Sequence, residues 1–238
     1  MMPRFATRLD EAAHRGGRIV LACDYDGADI VSSAVYDIRR LSRYLCGVKL
    51  NLHLLLPLSA DDISQISATA RQCGLLCIAD IKLNDIGNTN RSAMDELWKM
   101  GFDAVIANPI MGASALRDVV LWAHDGGHGV ITLCHMSAPQ AAGMYEMITD
   151  PHRVPLYRTF LDVASSCGVD GIVVGATYPE IIRTCKRSYP EMRILSPGVG
   201  IQGGSAQEAV LAGADYIIVG RTIIKSDDPV GTAEQLGV

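Results

Sequence analysis

The chain has 238 residues, 49% of them apolar and 20% charged, with a formal net charge of −5. That composition belongs to a globular protein large enough to bury a core without staples. The acidic balance argues against a nucleic-acid partner, but leaves a small anionic ligand open because local charge can differ from the total. Seven cysteines, an odd number with no CxxC pair, read as reduced, mostly buried thiols of a cytoplasmic protein. Cys134-His135 could suggest a nucleophile or a metal ligand, yet no further ligands stand at zinc spacing. The amino-terminal stretch has no apolar run of the secretory kind, and no apolar run elsewhere is long enough to cross a bilayer. No membrane association is expected.

In chain order, Arg4–His14 reads as a helix ahead of the first strand. Short apolar runs then alternate with stretches of helical spacing. The strand candidates are Ile19–Cys23, Cys46–Leu50, Leu76–Ile81, Ala104–Ala107, Val130–Leu133, Gly171–Val174, Arg193–Leu195 and Tyr216–Val219. Between them lie helix candidates at Asp29–Tyr44, Asp61–Cys73, Thr89–Met100, Leu116–Ala123, Pro155–Ser166, Pro179–Ser188 and Ala206–Ala212. Near-continuous apolar strands mean burial on both faces, as in a parallel sheet, and strand–helix alternation means βα units. The pattern predicts one α/β domain over residues 1–238, a (β/α)8 TIM barrel, with a doubly wound sheet as the competing architecture. Only Thr232–Leu236 is left for a last helix, so a full eighth outer helix is not expected.

Ionisable residues at the carboxyl ends of strands carry the functional signal, because that end of a barrel holds the active site. The first candidate strand ends in Asp24, the second meets Lys49, and the third runs into Asp80, Ile81 and Lys82, with Asp85 just beyond. Side chains two apart in a strand share a face, so Asp80 and Lys82 are expected together at the barrel mouth, with Ile81 turned to the helices. Unpaired buried charge is costly, and alternating Lys and Asp is an arrangement that survives there. Each group alone would read as a surface charge or an ordinary ion pair.

A second signal is the run Ser196-Pro-Gly-Val-Gly-Ile-Gln-Gly-Gly204, followed by Ile217-Ile-Val-Gly-Arg221. Loops after the seventh and eighth strands of a barrel often bind phosphate through backbone N–H groups. Glycine lets the backbone approach the anion, and an arginine such as Arg221 can grip it with a bidentate fork. Gly198, Gly200 and Gly203 also match a dinucleotide fingerprint literally, but Asp215 comes too soon for the acidic residue expected about 20 positions on. A glycine-rich turn without a ligand remains the bland alternative. After the fifth candidate strand, Ser137 can serve either as a helix N-cap or as a ligand contact, and His135 reads as a loop or packing residue.

These segments resemble the orotidine 5′-monophosphate decarboxylase family in its short, archaeal-like form. Asp80-Ile-Lys82-Leu-Asn-Asp85-Ile86 is similar to the DxKxxDI signature. Leu21-Ala-Cys-Asp24, Val48-Lys49, Met136-Ser137-x-Pro139, Ser196–Gly204 and Ile218-Val-Gly-Arg221 follow in matching order. The resemblance implies decarboxylation of orotidine 5′-monophosphate to uridine 5′-monophosphate in pyrimidine biosynthesis, without metal or cofactor. It implies a catalytic array of Lys49, Asp80, Lys82 and Asp85, in which Lys82 stabilises and protonates the C6 carbanion. It also implies substrate contacts from Asp24, Lys49, Asp85, Ile86, Thr89, Ser137, Pro197, Gln202, Gly220 and Arg221. A homodimer is implied, with Asp85 and Thr89 reaching across its interface.

DxKxxD is shared with 3-keto-L-gulonate 6-phosphate decarboxylase and hexulose 6-phosphate synthase, which use a divalent metal and a glutamate at the end of the second strand. Lys49 stands there instead, and a cation removes a hard oxygen ligand. A metal-dependent sugar-phosphate decarboxylase or aldolase, and an inactive nucleotide-binding protein, are the rival readings. The chain also departs from the family pattern. Gly87 replaces the proline of DIPxT, Ala107-Asn108-Pro109 lacks the histidine expected after the fourth strand, and the last helix is shortened.

Overall fold

The computed structural model describes residues 4–27, 29–150 and 153–237; residues 1–3, 28, 151–152 and 238 of the expected single domain lie outside that description. Eight parallel strands close into a barrel: β1 (Ile19–Ala22), β2 (Leu45–Asn51), β3 (Leu76–Leu83), β4 (Ala104–Ala107), β5 (Gly129–His135), β6 (Gly171–Val174), β7 (Ile194–Pro197) and β8 (Tyr216–Val219). Each strand pairs with the next in the chain, and β8 returns to pair with β1 through Ile19–Ile217, Val20–Ile218 and Leu21–Val219. That last pairing decides against the doubly wound sheet, whose edges would stay open.

All eight barrel strands stand where the candidates placed them, with shifted ends, and a short antiparallel pair outside the barrel, Ile148–Thr149 with Val154–Pro155, was not foreseen. β3 runs on to Leu83 and β5 to His135, because backbone pairing outlasts the apolar run where a strand enters the site. The outer helices are Ile30–Leu41, Ala60–Gln72, Gly87–Lys99, Ala113–Asp125, Leu156–Cys167, Pro179–Ser188, Ala206–Ala212 and Pro229–Leu236. The last of these corrects the sequence reading. It begins at Pro229, not Thr232, since Pro229 suits a first helical turn and the Asp228 side chain accepts from the Gly231 N–H as an N-cap. It lies against the Ile30–Leu41 helix and completes the outer ring.

Local chemistry sets other boundaries. Ser59 and Asp62 form a reciprocal capping box at the start of Ala60–Gln72. Gly168, at φ +72°, ends the Leu156–Cys167 helix in the left-handed conformation.

The core has two shells, one between sheet and helices and one inside the barrel. The amino-terminal helix Phe5–Arg15 closes the barrel floor with Phe5, Leu9 and Ala12. Phe5 occupies the space that a side chain on Gly129 would need. The floor is therefore filled by carbon, and the opposite mouth is the open end.

Candidate active site

Strand register brings the charged residues together. Lys49 lies beside Ala22 of β1, and Asn51 lies beside Asp80 of β3. Lys49 Nζ donates to Asp80 Oδ2 at 2.8 Å, and Lys82 Nζ donates to Asp80 Oδ1 at 2.8 Å. The aspartate is thus held between two ammonium groups. Asp80 is 8% exposed and Lys49 5%, whereas the Lys82 side chain is 40% exposed and ends in the cavity. Burial works against the Asp80 carboxylate, but the charges of Lys49 and then Lys82, with their hydrogen bonds, outweigh it and hold its pKa below the ordinary value.

Lys82 has φ +49°, one of two described non-glycine residues in the left-handed region. The β3–β4 register shifts between Ala79 and Leu83 at the same place. Lys82 therefore shares the Asp80 face as alternation predicted, but it gets there through a strained backbone. Strain of this kind, about 1–3 kcal/mol, persists where surrounding structure enforces it and clusters at functional sites. Ile81 packs against the outer shell, as expected, and also borders the cavity.

The array opens into a cavity of about 410 Å³ at the carboxyl end of the barrel. Its apolar floor is made by Ala22, Ile106, Leu133, Val173 and Ile218. Asp24, Ser137, Pro197, Gln202, Gly220 and Arg221 also line it. The β7 loop is shaped by glycines at φ +95° (Gly198), +77° (Gly200) and +91° (Gly203). It folds on itself through Gly200 N–H to Gly204 O at 2.9 Å and Gly204 N–H to Gly198 O at 3.0 Å. Thr222 braces it by donating to Val199 O at 3.1 Å. Ser137 Oγ donates to Gln202 Oε1 at 2.8 Å, so Ser137 is a cavity contact and not the N-cap. A Cβ on Gly220 would meet Asp24 Oδ2 at 2.5 Å, so only glycine leaves this approach between β1 and β8 open.

Asp85, Ile86 and Thr89 do not line the cavity of their own chain. All three are exposed, Ile86 by 73%. Asp85 Oδ1 accepts from the Ile86 N–H at 2.8 Å. Within one chain the expected four-charge array is therefore Lys49, Asp80 and Lys82. Gly87 adopts φ +40°, which proline with φ near −65° cannot reach, so this loop departs in backbone as well as in sequence from the DIPxT pattern.

Cys134 and His135 form no nucleophile pair. The Cys134 thiol faces the outer shell, 3.8 Å from the Cys185 sulfur, and its hydrogen bond with Cys185 and then its burial push its pKa well up. His135 is buried among Tyr145, Tyr157 and Tyr178. Asn108, in place of the expected histidine, caps a short turn by accepting from Ile110 N–H at 3.1 Å.

Sequence reasoning missed three residues. Asn51 joins Lys49 to Asp24, accepting from the Lys49 ammonium and donating to Asp24 Oδ1 at 2.6 Å. Its signal was its position two residues after Lys49 on the same strand face. Thr222, which braces the glycine loop, had none. Asn90 is buried and clamps the backbone of Asp85, accepting from its N–H at 3.0 Å and donating to its carbonyl at 2.6 Å. An asparagine inside a helical pattern was the available hint.

A sequence model of the Orotidine 5′-phosphate decarboxylase / HUMPS family matches residues 17–236. The chain belongs to this family. The orotidine 5′-phosphate decarboxylase of Pyrococcus horikoshii is 36% identical over 220 residues, covering 92% of this chain and 96% of that one. Its namesake in Pyrococcus furiosus is 34% identical over 219 residues, covering 92% and 95%. The crystal structure of orotidine 5′-monophosphate decarboxylase from Methanocaldococcus jannaschii, complexed with inhibitor BMP, superposes with a TM-score of 0.78 at 27% identity, covering 93% of this chain and 97% of that one. The family match spans every strand of the barrel, so the fold and the family agree over the whole region that builds the site.

Proposed function

We propose that this protein converts orotidine 5′-monophosphate to uridine 5′-monophosphate and CO₂ as the decarboxylase of pyrimidine biosynthesis. The observation that carries the reading is the aspartate held by two ammonium groups at 2.8 Å, below a cavity whose far wall is a glycine loop and an arginine. Asp80 faces the substrate carboxylate. As the C6–carboxylate bond breaks, its electron pair stays on C6 and CO₂ leaves, which relieves the repulsion. The Lys82 ammonium stabilises the growing charge at C6 and then gives C6 its proton. A fixed charge acting on a charge that grows in the transition state raises the rate, not only the affinity.

Asp24 and Lys49 hold the ribose hydroxyls, and Ser137 and Pro197 meet the pyrimidine. Gln202, Gly220 and Arg221 grip the phosphate. Binding of that remote group closes the glycine loop and orients the ring. Two copies of the chain form a homodimer in which Asp85, Ile86 and Thr89 of one reach the other's cavity. Their exposure and the Asn90 clamp on Asp85 support this. The chain works as a single domain over 1–238. Its seven free thiols suit the reducing cytoplasm.

The test is loss of orotidylate absorbance with purified protein, run with and without chelator. Turnover that persists in EDTA supports the reading. Orotidylate turnover abolished by EDTA and restored by Mg²⁺ would overturn the metal-free mechanism, and no orotidylate turnover with or without Mg²⁺ would replace the reading with a sugar-phosphate enzyme or an inactive nucleotide-binding protein, which Mg²⁺-dependent turnover of a sugar phosphate then tells apart.

A further inference from the structure

We propose that Asn51 is a positioning residue, whose amide aims the Lys49 ammonium and the Asp24 carboxylate as one donor–acceptor pair toward the two vicinal hydroxyls of a ribose. The inference rests on reading the cavity as a nucleotide site.

Asn51 ends β2 and lies on the Lys49 face, beside Asp80 on the neighbouring strand. Its carbonyl oxygen accepts from Lys49 Nζ, and its NH₂ group donates to Asp24 Oδ1 at 2.6 Å. An amide is suited to this place because it offers an acceptor and a donor on one rigid plane. Turned over, it would set NH₂ against the ammonium and its oxygen against the carboxylate, so the two charges determine its orientation.

The amide also decides where the Lys49 charge goes. Lys49 pairs with the Asp80 carboxylate, and the Asp24 carboxylate lies on the other side of the Asn51 amide. With Asn51 interposed, the direct ion pair of Lys49 is with Asp80, and Asp24 receives a neutral donor instead. A short apolar side chain at position 51 would let Lys49 swing to Asp24, leaving Asp80 with Lys82 alone.

Donor counting gives the consequence. An ammonium has three donors, and those of Lys49 meet Asp80 and Asn51 among the described residues. Asp24 gives one oxygen to Asn51 and turns the other toward the bare Cα of Gly220. What is left without a partner among the described residues is one Lys49 donor and one Asp24 oxygen, both on residues that line the cavity and held apart by a planar spacer. Each hydroxyl of a vicinal diol both donates and accepts, so the pair suits such a diol.

The experiment compares binding of uridine 5′-monophosphate and its 2′,3′-dideoxy analogue by calorimetry, for the parent and for Asn51→Ala and Asn51→Asp. The parent should prefer the ribonucleotide. Asn51→Ala should weaken ribonucleotide binding by about 10- to 100-fold, the range for hydrogen bonds to charged groups, and change dideoxy binding by less than about threefold. Asn51→Asp keeps the acceptor for Lys49 but faces Asp24 with a like charge. Its loss should shrink as pH falls and the new carboxyl takes up a proton to become a donor. A merely structural role would not give that pH profile or that dependence on the hydroxyls. Equal weakening of both nucleotides, or none, would overturn the proposal for Asn51. A parent that does not distinguish the two nucleotides would instead overturn the reading of the cavity. Should the alanine variant fail to fold, the isosteric aspartate variant still decides by its pH dependence.

Discussion

At the amino-terminal end of the barrel, Asp10 accepts from Arg193 Nη2 at 2.6 Å and Nε at 3.1 Å, and from the Tyr216 hydroxyl. Asp103 likewise accepts from Arg8 at 2.7 Å and from the Cys77 N–H at 2.9 Å. At the carboxyl end, Asp80 faces two cations where each floor aspartate faces one, yet the Lys82 side chain keeps 40% of its surface open and bends its backbone to φ +49°. The two ends use the same chemistry to opposite effect. At the floor, the charged groups tie the Phe5–Arg15 helix to the strands above it. At the mouth, donors are left over, and those are what a ligand can use. A saturated ion pair contributes to structure, whereas an unsaturated one with enforced geometry is preorganised for a charge still to come.

The largest effect that would break this contrast is at Lys82. Lys82→Ala should lower kcat/KM for orotidine 5′-monophosphate by at least about a thousandfold, ~4 kcal/mol, with little change in melting temperature. A variant within tenfold of the parent would show that the open ammonium is not the reacting group. Next comes Arg221→Ala, expected to cost about a hundredfold in kcat/KM through the phosphate, ~3 kcal/mol. The loss should disappear with a substrate lacking the phosphate, and an undiminished loss there would move Arg221 out of the phosphate site.

The floor should answer in stability instead. Asp10→Ala strands a half-buried guanidinium and should cost about 2 kcal/mol in urea unfolding, with kcat per folded molecule unchanged. A loss of kcat without a loss of stability would erase the distinction between the two ends.

The smallest effect is the acid response, which sharpens the comparison. At Asp10, burial opposes the carboxylate but the hydrogen bonds from Arg193 and Tyr216 outweigh it, so its pKa is lowered, as is that of Asp80. A depressed folded pKa contributes stability that is complete above the unfolded value, about 3.9, and is lost as pH falls through the lower folded value. Asp10→Asn should therefore be less stable than the parent at neutral pH, and the gap should close on acidification below about pH 4. A gap independent of pH would mean that Asp10 acts by packing and not by charge.

Much of the site could be read directly. Asp80 and Lys82 were placed together by the period of two in a strand, and the glycines of 198–204 announced a tightly folded backbone at the mouth. Other features gave weaker signals. Asn51 lay on the right face, but a lone asparagine at a strand end has too many ordinary roles to stand out. The Asp228-Pro229 pair was a helix start in plain view, and reading the last helix from Thr232 overlooked it. Asp85, and its place outside its own chain's cavity, could be picked out only through the family motif and not from local pattern, because a loop's path depends on what packs beneath it. Here that is Asn90.

By itself the sequence determined the count and order of the βα units, the residues bound for the open end, and the family, since each is written in local periodicity or in residue type at short spacing. Tertiary structure alone decided that β8 closes on β1, that Lys82 turns through a left-handed backbone to reach Asp80, and that Asn51 spans Lys49 and Asp24. Those outcomes depend on register between strands distant in the chain, and no local pattern encodes which residues two neighbouring strands will set side by side.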